Sequence, residues 1–399
     1  MEKIKDLKNK TILFHHHELV YIDNEGLLWL SSPIGLWLDE MSIYFKKIHL
    51  IVFNTTQKTE KHDMYLKGDN FNNISLGAPG NYYNYFSKRN RVKKICENWS
   101  GKCDFFLIRG FTPLQNLLWK RVDVHQFKIF YLVRSLKQNR SISLFKPLSI
   151  IAFLSNLNRE SNFPEISSTN CMLIANSKLI AEELENHTTN KVYYAPSNVL
   201  SVRAAPIFKP VVSENPLHFL FVGRISEMKG IIELLNALSL FKNQTNKSFV
   251  MHLVGNADDF FLKECKILAS KLNILENLVF YGRLDFGPRL FSLYKKANLF
   301  ILPSHSEGFP RVVWEAALFS CPLLITHVGG ISSVFTHKKN AYLIPPKNIN
   351  ALFDALVFCS KNNQHLNDMA KHANSIALEN TLEKGVEKFI KSLISKISF

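Results

Sequence analysis

The chain has 399 residues, of which 46% are hydrophobic and 21% are charged, close to the values of an average globular protein. This composition excludes a disordered chain, a collagen-like repeat and a coiled coil as the main architecture, and the length predicts two compact domains. Lysine and arginine (49) outnumber aspartate and glutamate (33), which gives a net charge of +16. We therefore expect a negatively charged partner, with phosphate as the first candidate.

Neither a transmembrane segment nor a secretory signal is evident. No apolar run is as long as the roughly 18 residues that a membrane-spanning helix needs. The N-terminal segment MEKIKDLKNKTILFHHHE lacks the apolar stretch of a signal peptide. We therefore expect a cytoplasmic protein. The six cysteines never occur at C-x2-C spacing, and His15, His16 and His17 on an extended segment point to alternating faces. No metal site and no disulfide framework are expected.

The first half alternates short apolar runs with helical patterns, which predicts an α/β domain. Arg109 and Arg134 lie at the ends of predicted strands, so they either bind phosphate or an acceptor in a cleft or are ordinary surface arginines. Gly35 precedes the first long helix and predicts an open loop near an acceptor. The predicted strands are 12–14, 48–53, 105–108, 129–133, 172–175 and 192–194, and the predicted helices are 36–45, 114–121 and 178–185.

A basic and aromatic segment follows at 81–99, NYYNYFSKRNRVKKICENW. Such a helix can lie on an anionic membrane surface, where each cation contributes about 1 kcal/mol. A solvated helix with an aromatic packing face explains the same pattern. Nucleic acid is not an expected partner, because no recognition motif for it is present.

A proline-containing stretch without periodicity, 199–216, predicts a linker with a domain boundary near residue 210. We therefore assign 1–209 to a first domain, 210–379 to a second, and 380–399 to an amphipathic C-terminal helix that must pack against a neighbour. Strand and helix alternate regularly after the boundary, which predicts a parallel sheet covered on both faces. The fold class is thus α/β, with two Rossmann-like, doubly wound domains facing a cleft where the ligand binds. The predicted strands here are 218–222, 249–254, 278–281, 299–302 and 323–325, and the predicted helices are 231–241, 261–272, 290–296 and 312–318.

The first candidate motif follows the strand 218–222. Gly223 and Arg224 end that strand, and Lys229 precedes the next helix. A helix N-terminus offers free N–H groups, and the two cations would neutralise a diphosphate. A solvated surface loop is the alternative.

The second motif, SEGFPRVVWEA, follows the strand 299–302 and carries Glu307 and Glu315 at Glu-x7-Glu spacing. If a helix starts at Pro310, the first carboxylate lies on the loop and the second inside the helix, so that both can face one ligand. The amides of Arg311 and Val312 would point to the same place.

The third motif, THVGGIS at 326–332, predicts a loop whose paired glycines allow close approach of a ligand. All three motifs follow successive strands at one edge of the sheet, where a ligand should bind.

Together with CPLLITHVGG and AYLIPP, these motifs resemble the donor domain of the family 4 retaining glycosyltransferases, which have the GT-B fold. The resemblance covers most of 216–361. It implies binding of a nucleoside-diphospho-sugar by the motif residues, with diphosphate held by Arg224 and Lys229, the sugar by Glu307 and the ribose by Glu315. It also implies that the C-terminal helix packs back on the first domain. The implied donor-binding set is Gly223, Arg224, Lys229, Glu307, Gly308, Phe309, Arg311, Val312 and Glu315.

The sequence departs from the family pattern at three places. Pro310 stands where a glycine is common and supplies no N–H. Ile331-Ser332-Ser333 follows the paired glycines in place of a carboxylate. Strand 129–133 leads into Arg134 rather than a histidine.

The resemblance implies a hexosyltransferase-like enzyme that transfers a sugar with retention to an acceptor hydroxyl, in bacterial cell-surface polysaccharide or glycolipid synthesis. Its catalytic residues would be Arg224 and Lys229, which stabilise the departing diphosphate, and Glu307, which lies beside the reacting sugar. No metal is implied, and no cofactor beyond the nucleotide-sugar co-substrate. The partners would be that donor, a glycan or lipid-linked acceptor, and the inner face of the plasma membrane if segment 81–99 docks there. A sugar-nucleotide epimerase of the same fold and a non-catalytic nucleotide-sugar binding module remain open.

Overall fold

The computed structural model describes residues 6–78, 89–99, 101–110, 112, 114–122, 127–132, 171–195, 200–201, 208, 210, 215–307 and 310–397. The chain divides into two compact units, the N-terminal unit (Met1–Val199 with Leu382–Phe399) and the C-terminal unit (Leu200–Thr381). Arg134 and the segment 79–88 lie outside the described residues, as do Gly308 and Phe309.

The N-terminal unit is built on a largely parallel sheet. Its strands pair in the order β4-β2-β1-β6-β7-β8-β9, and β3 pairs with β1 and β5. The short strands β2 and β4 pair antiparallel and extend the sheet beside the end of β1. The strands are β1 (Thr11–Ile22), β2 (Leu28–Leu30), β3 (Lys47–Thr55), β4 (Met64–Tyr65), β5 (Phe71–Ser75), β6 (Phe105–Arg109), β7 (Phe127–Leu132), β8 (Cys171–Ala175) and β9 (Val192–Tyr194).

Helices cover this sheet on both faces, because successive strand residues alternate between two apolar clusters. Phe14 lies in one cluster and Leu13 in the other. The C-terminal helix packs in the first of these clusters, with the Phe389 ring 5.8 Å from that of Trp37. The helices are α1 (Ser32–Ser42), α2 (Arg89–Trp99), α3 (Gln115–Arg121), α4 (Lys178–Glu185) and, at the C-terminus, α11 (Leu382–Lys396).

The C-terminal unit has a parallel sheet in the order β12-β11-β10-β13-β14-β15. The four central strands are almost fully buried, as expected for a sheet with helices on both faces, whereas the edge strands β12 and β15 are partly exposed. The elements in chain order are β10 (Leu217–Val222), α5 (Ile231–Gln244), β11 (Phe249–Val254), α6 (Asp259–Lys271), β12 (Leu278–Gly282), α7 (Pro288–Lys296), β13 (Leu299–Leu302), α8 (Arg311–Leu318), β14 (Leu323–Thr326), β15 (Tyr342–Ile344), α9 (Ile349–Lys361) and α10 (Asn363–Leu378).

Every predicted strand and helix named above overlaps an observed one, but several details were wrong. The first helix begins at Ser32 because Pro33 fits its first turn, so Gly35 lies inside α1 and not in an open loop before it. Gly35 is buried there, and a Cβ atom at this position would crowd the side chain of Met64. The loop predicted at 326–332 contains a short 3-10 helix, Gly329–Ser333. The strands β2, β4, β5 and β15 and the helices α9 and α10 were not predicted.

Candidate active site

The order of the second sheet defines where a ligand should bind. β10 lies in the middle, with β11 on one side and β13 on the other, so the chain reverses its direction of winding between β10 and β13. In open parallel sheets, ligands bind beyond the carboxyl ends of the strands at such a switch point. Two loops flank it here: the β10 loop (223–230) and the β13 loop (303–307).

The β10 loop turns sharply on two glycines. Gly223 has φ 155° and Gly230 has φ 69°, values that favour glycine. Gly230 precedes α5, and a Cβ atom there would overlap the carbonyl oxygen of Pro303. Glycine at this position therefore lets the β10 loop contact the β13 loop directly.

Side-chain contacts join the same two loops. Lys229 Nζ forms an ion pair with Glu307 Oε1, which also accepts a hydrogen bond of 2.7 Å from Ser304 Oγ. The main chain adds a hydrogen bond of 2.9 Å from the His305 amide to the Met228 carbonyl oxygen. The structure thus places a cation and a carboxylate in contact at the switch point.

Ser304 and His305 were not predicted as site residues. Thr326 Oγ1 donates a hydrogen bond of 2.7 Å to the Ser304 carbonyl oxygen, which ties the β13 loop to the end of β14. His305 Nε2 lies 2.9 Å from Glu233 Oε1 on the first turn of α5. The sequence signal for His305 was its position two residues before Glu307. Its partner Glu233 on α5 is 72 positions away, so the sequence did not indicate that contact.

Glu315 has a different environment from Glu307. It lies in α8, its side chain is buried with 8% of the residue exposed, and Oε2 accepts a hydrogen bond of 2.8 Å from Tyr294 Oη. Burial raises the pKa of the Glu315 carboxyl, and the Tyr294 hydrogen bond and the charge of Arg311 partly oppose this. Tyr294, on α7, was not predicted as a site residue.

The other described donor candidates, Arg224, Arg311 and Val312, lie on the β10 loop or in α8. Arg224 is exposed on the β10 loop. The helix α8 begins at Arg311, one residue later than predicted, since Pro310 is extended (φ −75°, ψ 119°) and precedes the first turn. Arg311 and Val312 supply first-turn amides, which have no acceptor within the helix.

In the N-terminal unit, Arg109 ends β6 but is not a surface residue, because only 7% of it is exposed. Its Nη1 lies 3.5 Å from His16 Nε2, and the guanidinium lies 5.5 Å and 5.8 Å from the ring centres of Trp37 and Tyr131. This is a buried cation at the carboxyl edge of the parallel strands, where the sequence predicted a phosphate or acceptor contact.

The described part of the basic segment is α2. Its apolar side chains Val92 and Cys96 are buried in the N-terminal unit, and Arg91, Lys93 and Lys94 are exposed. The helix therefore presents cations to solvent while its apolar face packs on the sheet. Among the described residues, no helix is long and apolar enough to cross a membrane, and no group of three or more His, Cys, Asp or Glu could hold a metal ion.

Comparison with known proteins agrees with this architecture. Residues 203–375 match the family model described as Glycosyl transferases group 1. D-inositol 3-phosphate glycosyltransferase of Paenarthrobacter aurescens is 27% identical over 248 residues, which are 58% of this chain and 60% of that protein. The putative teichuronic acid biosynthesis glycosyltransferase TuaC of Bacillus subtilis is 32% identical over 136 residues, or 34% of this chain and 31% of that protein.

Among solved structures, Anabaena HepE in complex with UDP-glucose superposes with a TM-score of 0.68 at 16% identity, covering 98% of this chain and 100% of that one. This similarity over nearly the whole chain confirms the predicted GT-B fold. The chain therefore has a GT-B fold, and its residues 203–375 are similar to the group 1 glycosyltransferases.

Proposed function

We propose that the protein transfers a sugar from a nucleoside-diphospho-sugar to an acceptor hydroxyl, with retention at the anomeric carbon. The observation that carries this proposal is the contact between Lys229 and Glu307 at the switch point, directly before the first turn of α8. It gathers a cation, a carboxylate and helix amides where a sugar diphosphate would lie. Anabaena HepE, which has this fold, has been crystallised with UDP-glucose, which supports a donor of that class.

In this proposal the leaving diphosphate is stabilised by Arg224, Lys229 and the first-turn amides of α8. Negative charge develops on the departing phosphate oxygen in the transition state, so groups that already point there lower the barrier. These groups supply the positive charge that a metal ion would otherwise provide, and we propose a reaction that needs neither a metal nor a further cofactor. Unchanged turnover in EDTA is the expected result.

Glu307 contacts the sugar in this scheme, and Glu315 bonds the ribose. Lys229 and Ser304 both bind one oxygen of Glu307, which favours an electrostatic role over attack on the sugar. Retention then arises from attack by the acceptor on the face that the diphosphate leaves. Glu307→Gln should mainly lower kcat and Glu315→Gln should mainly raise the donor KM, because the ribose contact is similar in ground and transition states.

The test of the function is incubation with a panel of radiolabelled nucleotide sugars, with and without membrane extract as the acceptor source. Transfer of label to the extract, with the donor's anomeric configuration retained in the product, supports the proposal. Release of a new nucleotide sugar without extract would indicate an epimerase, and binding without turnover would indicate a binding module. Either result contradicts the proposal.

For the acceptor we propose a glycan or lipid-linked glycan of the bacterial cell surface. TuaC of Bacillus subtilis, which shares 32% identity over part of the chain, is named as a putative teichuronic acid biosynthesis glycosyltransferase, and this supports a polysaccharide acceptor. The buried Arg109 on β6 is the residue we propose for an anionic group of that acceptor.

We further propose a cytoplasmic protein whose helix α2 docks on the anionic inner leaflet of the plasma membrane through Arg91, Lys93 and Lys94. Because the apolar face of α2 is buried, the attraction would be electrostatic.

Replacing the three cations with Gln removes about 3 kcal/mol of attraction, at about 1 kcal/mol each. Sedimentation with vesicles containing phosphatidylserine should then fall by about 100-fold in partition coefficient. Substitution of the exposed Lys263, Lys266 and Lys271 on α6 is the control for net charge, and an equal fall in both variants would exclude docking through α2.

A further inference from the structure

The hydrogen bond between Tyr294 and Glu315 joins two buried polar groups within an aromatic cluster. The Tyr294 ring is 1% exposed and stacks on Phe319 with ring centres 5.5 Å apart and planes 11° apart. The ring of Phe300 lies 6.1 Å away on β13. These contacts fix the tyrosine ring, and a fixed ring fixes the position of its hydroxyl.

A carboxyl group in such a place destabilises the fold unless it is hydrogen-bonded. Burial raises the pKa of Glu315, and ionisable groups perturbed in this way cluster at functional sites. The hydroxyl of Tyr294 binds only Oε2, whereas a carboxylate can accept hydrogen bonds at both oxygens. Oε1 is therefore the oxygen that we assign to a ligand.

The position of Glu315 in α8 suits a ribose beside a bound diphosphate. It lies four positions after Arg311, which places it about 6 Å along the axis from the amide of Arg311. Side chains on a helix lean towards its N-terminus, which directs the carboxylate back towards the first-turn amides. A nucleoside diphosphate whose phosphates meet the amides would thus bring its ribose to this side chain.

We propose that Tyr294 is a positioning residue that holds Glu315 in the orientation needed to bind the ribose hydroxyls of the donor. This inference rests on the proposed function, since it takes a nucleoside diphosphate as the ligand. The tyrosine does not touch the nucleotide. It fixes the plane of the carboxylate by holding Oε2. Oε1 then binds the ribose without a further loss of side-chain conformational entropy.

The experiment compares ribose recognition with simple stability. Isothermal titration measures affinity for the four common ribonucleoside diphosphates and, for the one that binds tightest, for its 2′-deoxy and 3′-deoxy forms. Tyr294→Phe keeps the stacked ring and removes only the hydroxyl. Tyr281→Phe is the matched control, because it also removes a hydrogen-bonded hydroxyl from the same unit, the 2.9 Å contact with His252 Nδ1.

The wild-type protein should prefer a ribonucleotide over at least one deoxy form by about tenfold or more, the effect of a hydrogen bond to a charged group. Glu315→Gln should abolish most of this preference. Tyr294→Phe should reduce it by about three- to tenfold, and the double variant should lose no more than Glu315→Gln alone, because both act through one contact. Tyr281→Phe should keep the wild-type preference whatever its melting temperature.

The other outcomes overturn different statements. If Glu315→Gln loses the preference and Tyr294→Phe keeps it, the tyrosine has only a structural role and the inference is wrong. If the wild-type protein binds ribo and deoxy forms equally, the ribose contact is wrong and the inference falls with it, while the diphosphate site stands. If no nucleoside diphosphate binds at all, the proposed function and the inference both fail.

Discussion

Replacing Glu307 with Gln should make a nucleoside diphosphate bind more tightly while it slows sugar transfer. In the structure Lys229 Nζ is paired with Glu307 Oε1. A diphosphate that binds the same ammonium group therefore approaches a carboxylate of like charge. The variant Glu307→Gln removes that charge, preserves the side-chain shape, and leaves Lys229 to the phosphate.

The size of the effect follows from the geometry of the ammonium group. Two acceptors around one tetrahedral nitrogen lie about 5 Å apart, which gives a repulsion of about 0.8 kcal/mol in bulk water and about 3 kcal/mol at an effective dielectric constant of about 20. The Lys229 side chain is 25% exposed and that of Glu307 is 11% exposed, so the pair is partly screened. We therefore expect a gain of about 1 kcal/mol, or about fivefold in affinity.

Isothermal titration at two ionic strengths measures this effect, with the free nucleoside diphosphate as ligand so that no sugar contact interferes. Glu227→Gln is the matched control, because Glu227 is an exposed acid on the same loop. Weaker binding in Glu307→Gln than in the wild-type protein would refute the reasoning. It would mean that the carboxylate aids binding by positioning the Lys229 ammonium group more than it hinders binding by repelling the phosphate. An equal gain in Glu227→Gln would show that only net charge matters.

Three further predictions concern single residues. Arg224→Ala and Lys229→Ala should each weaken nucleoside diphosphate binding by about 1.5 to 3 kcal/mol in isothermal titration, and unchanged affinity in both would exclude the phosphate assignment. Gly230→Ala should lower both the melting temperature and the nucleotide affinity. Alanine is strained at the φ of 69° that Gly230 adopts, and its Cβ atom would push the β10 loop away from Pro303. Wild-type values for both quantities would contradict the tight contact. His15 is buried and its pKa is lowered to about 4, mainly by burial, so the neutral form is favoured in the fold. Its stabilising effect is complete above pH 6.5 and is lost as pH falls to about 4, a change of about 3 kcal/mol. Urea unfolding at pH 7 and pH 4.5 should show a smaller loss for His15→Gln than for the wild-type protein, and equal losses would refute this pKa.

The sequence predicted the architecture of the C-terminal unit well, for a physical reason. Strands covered on both faces are apolar along most of their length, and β10, β11 and β13 appear as apolar runs that are interrupted only by His218 and His252 and are followed by Gly or Pro. The short strand β5, FNNIS, was missed because three of its five residues are polar and its composition does not indicate a strand. It forms a strand because it pairs with β3.

The predicted site residues divide in the same way. Lys229 and Glu307 were predicted to share one site because both follow strands of one sheet, and the structure places them in contact. The partner of Glu315 was not found, since Tyr294 and Glu315 meet only through the packing of α7 against α8. Arg109 shows a further limit. Its place at the end of β6 was predicted, but its burial beside Trp37 depends on the packing of α1 on the sheet.

The contact between Lys229 and Glu307 couples two residues to which the family resemblance gives separate roles. The two residues are 78 positions apart, and the resemblance implies that one binds the diphosphate and the other the sugar. Since both side chains are largely withdrawn from water, either charge alone would destabilise the site, and the ion pair offsets that cost. Under the proposed function, a donor would replace this ion pair, because its diphosphate would take Lys229 and its sugar hydroxyls would donate hydrogen bonds to Glu307. Lys229 would then keep a charged partner and Glu307 would keep hydrogen-bond donors, so the donor's free energy of binding would be the difference between these two sets of contacts.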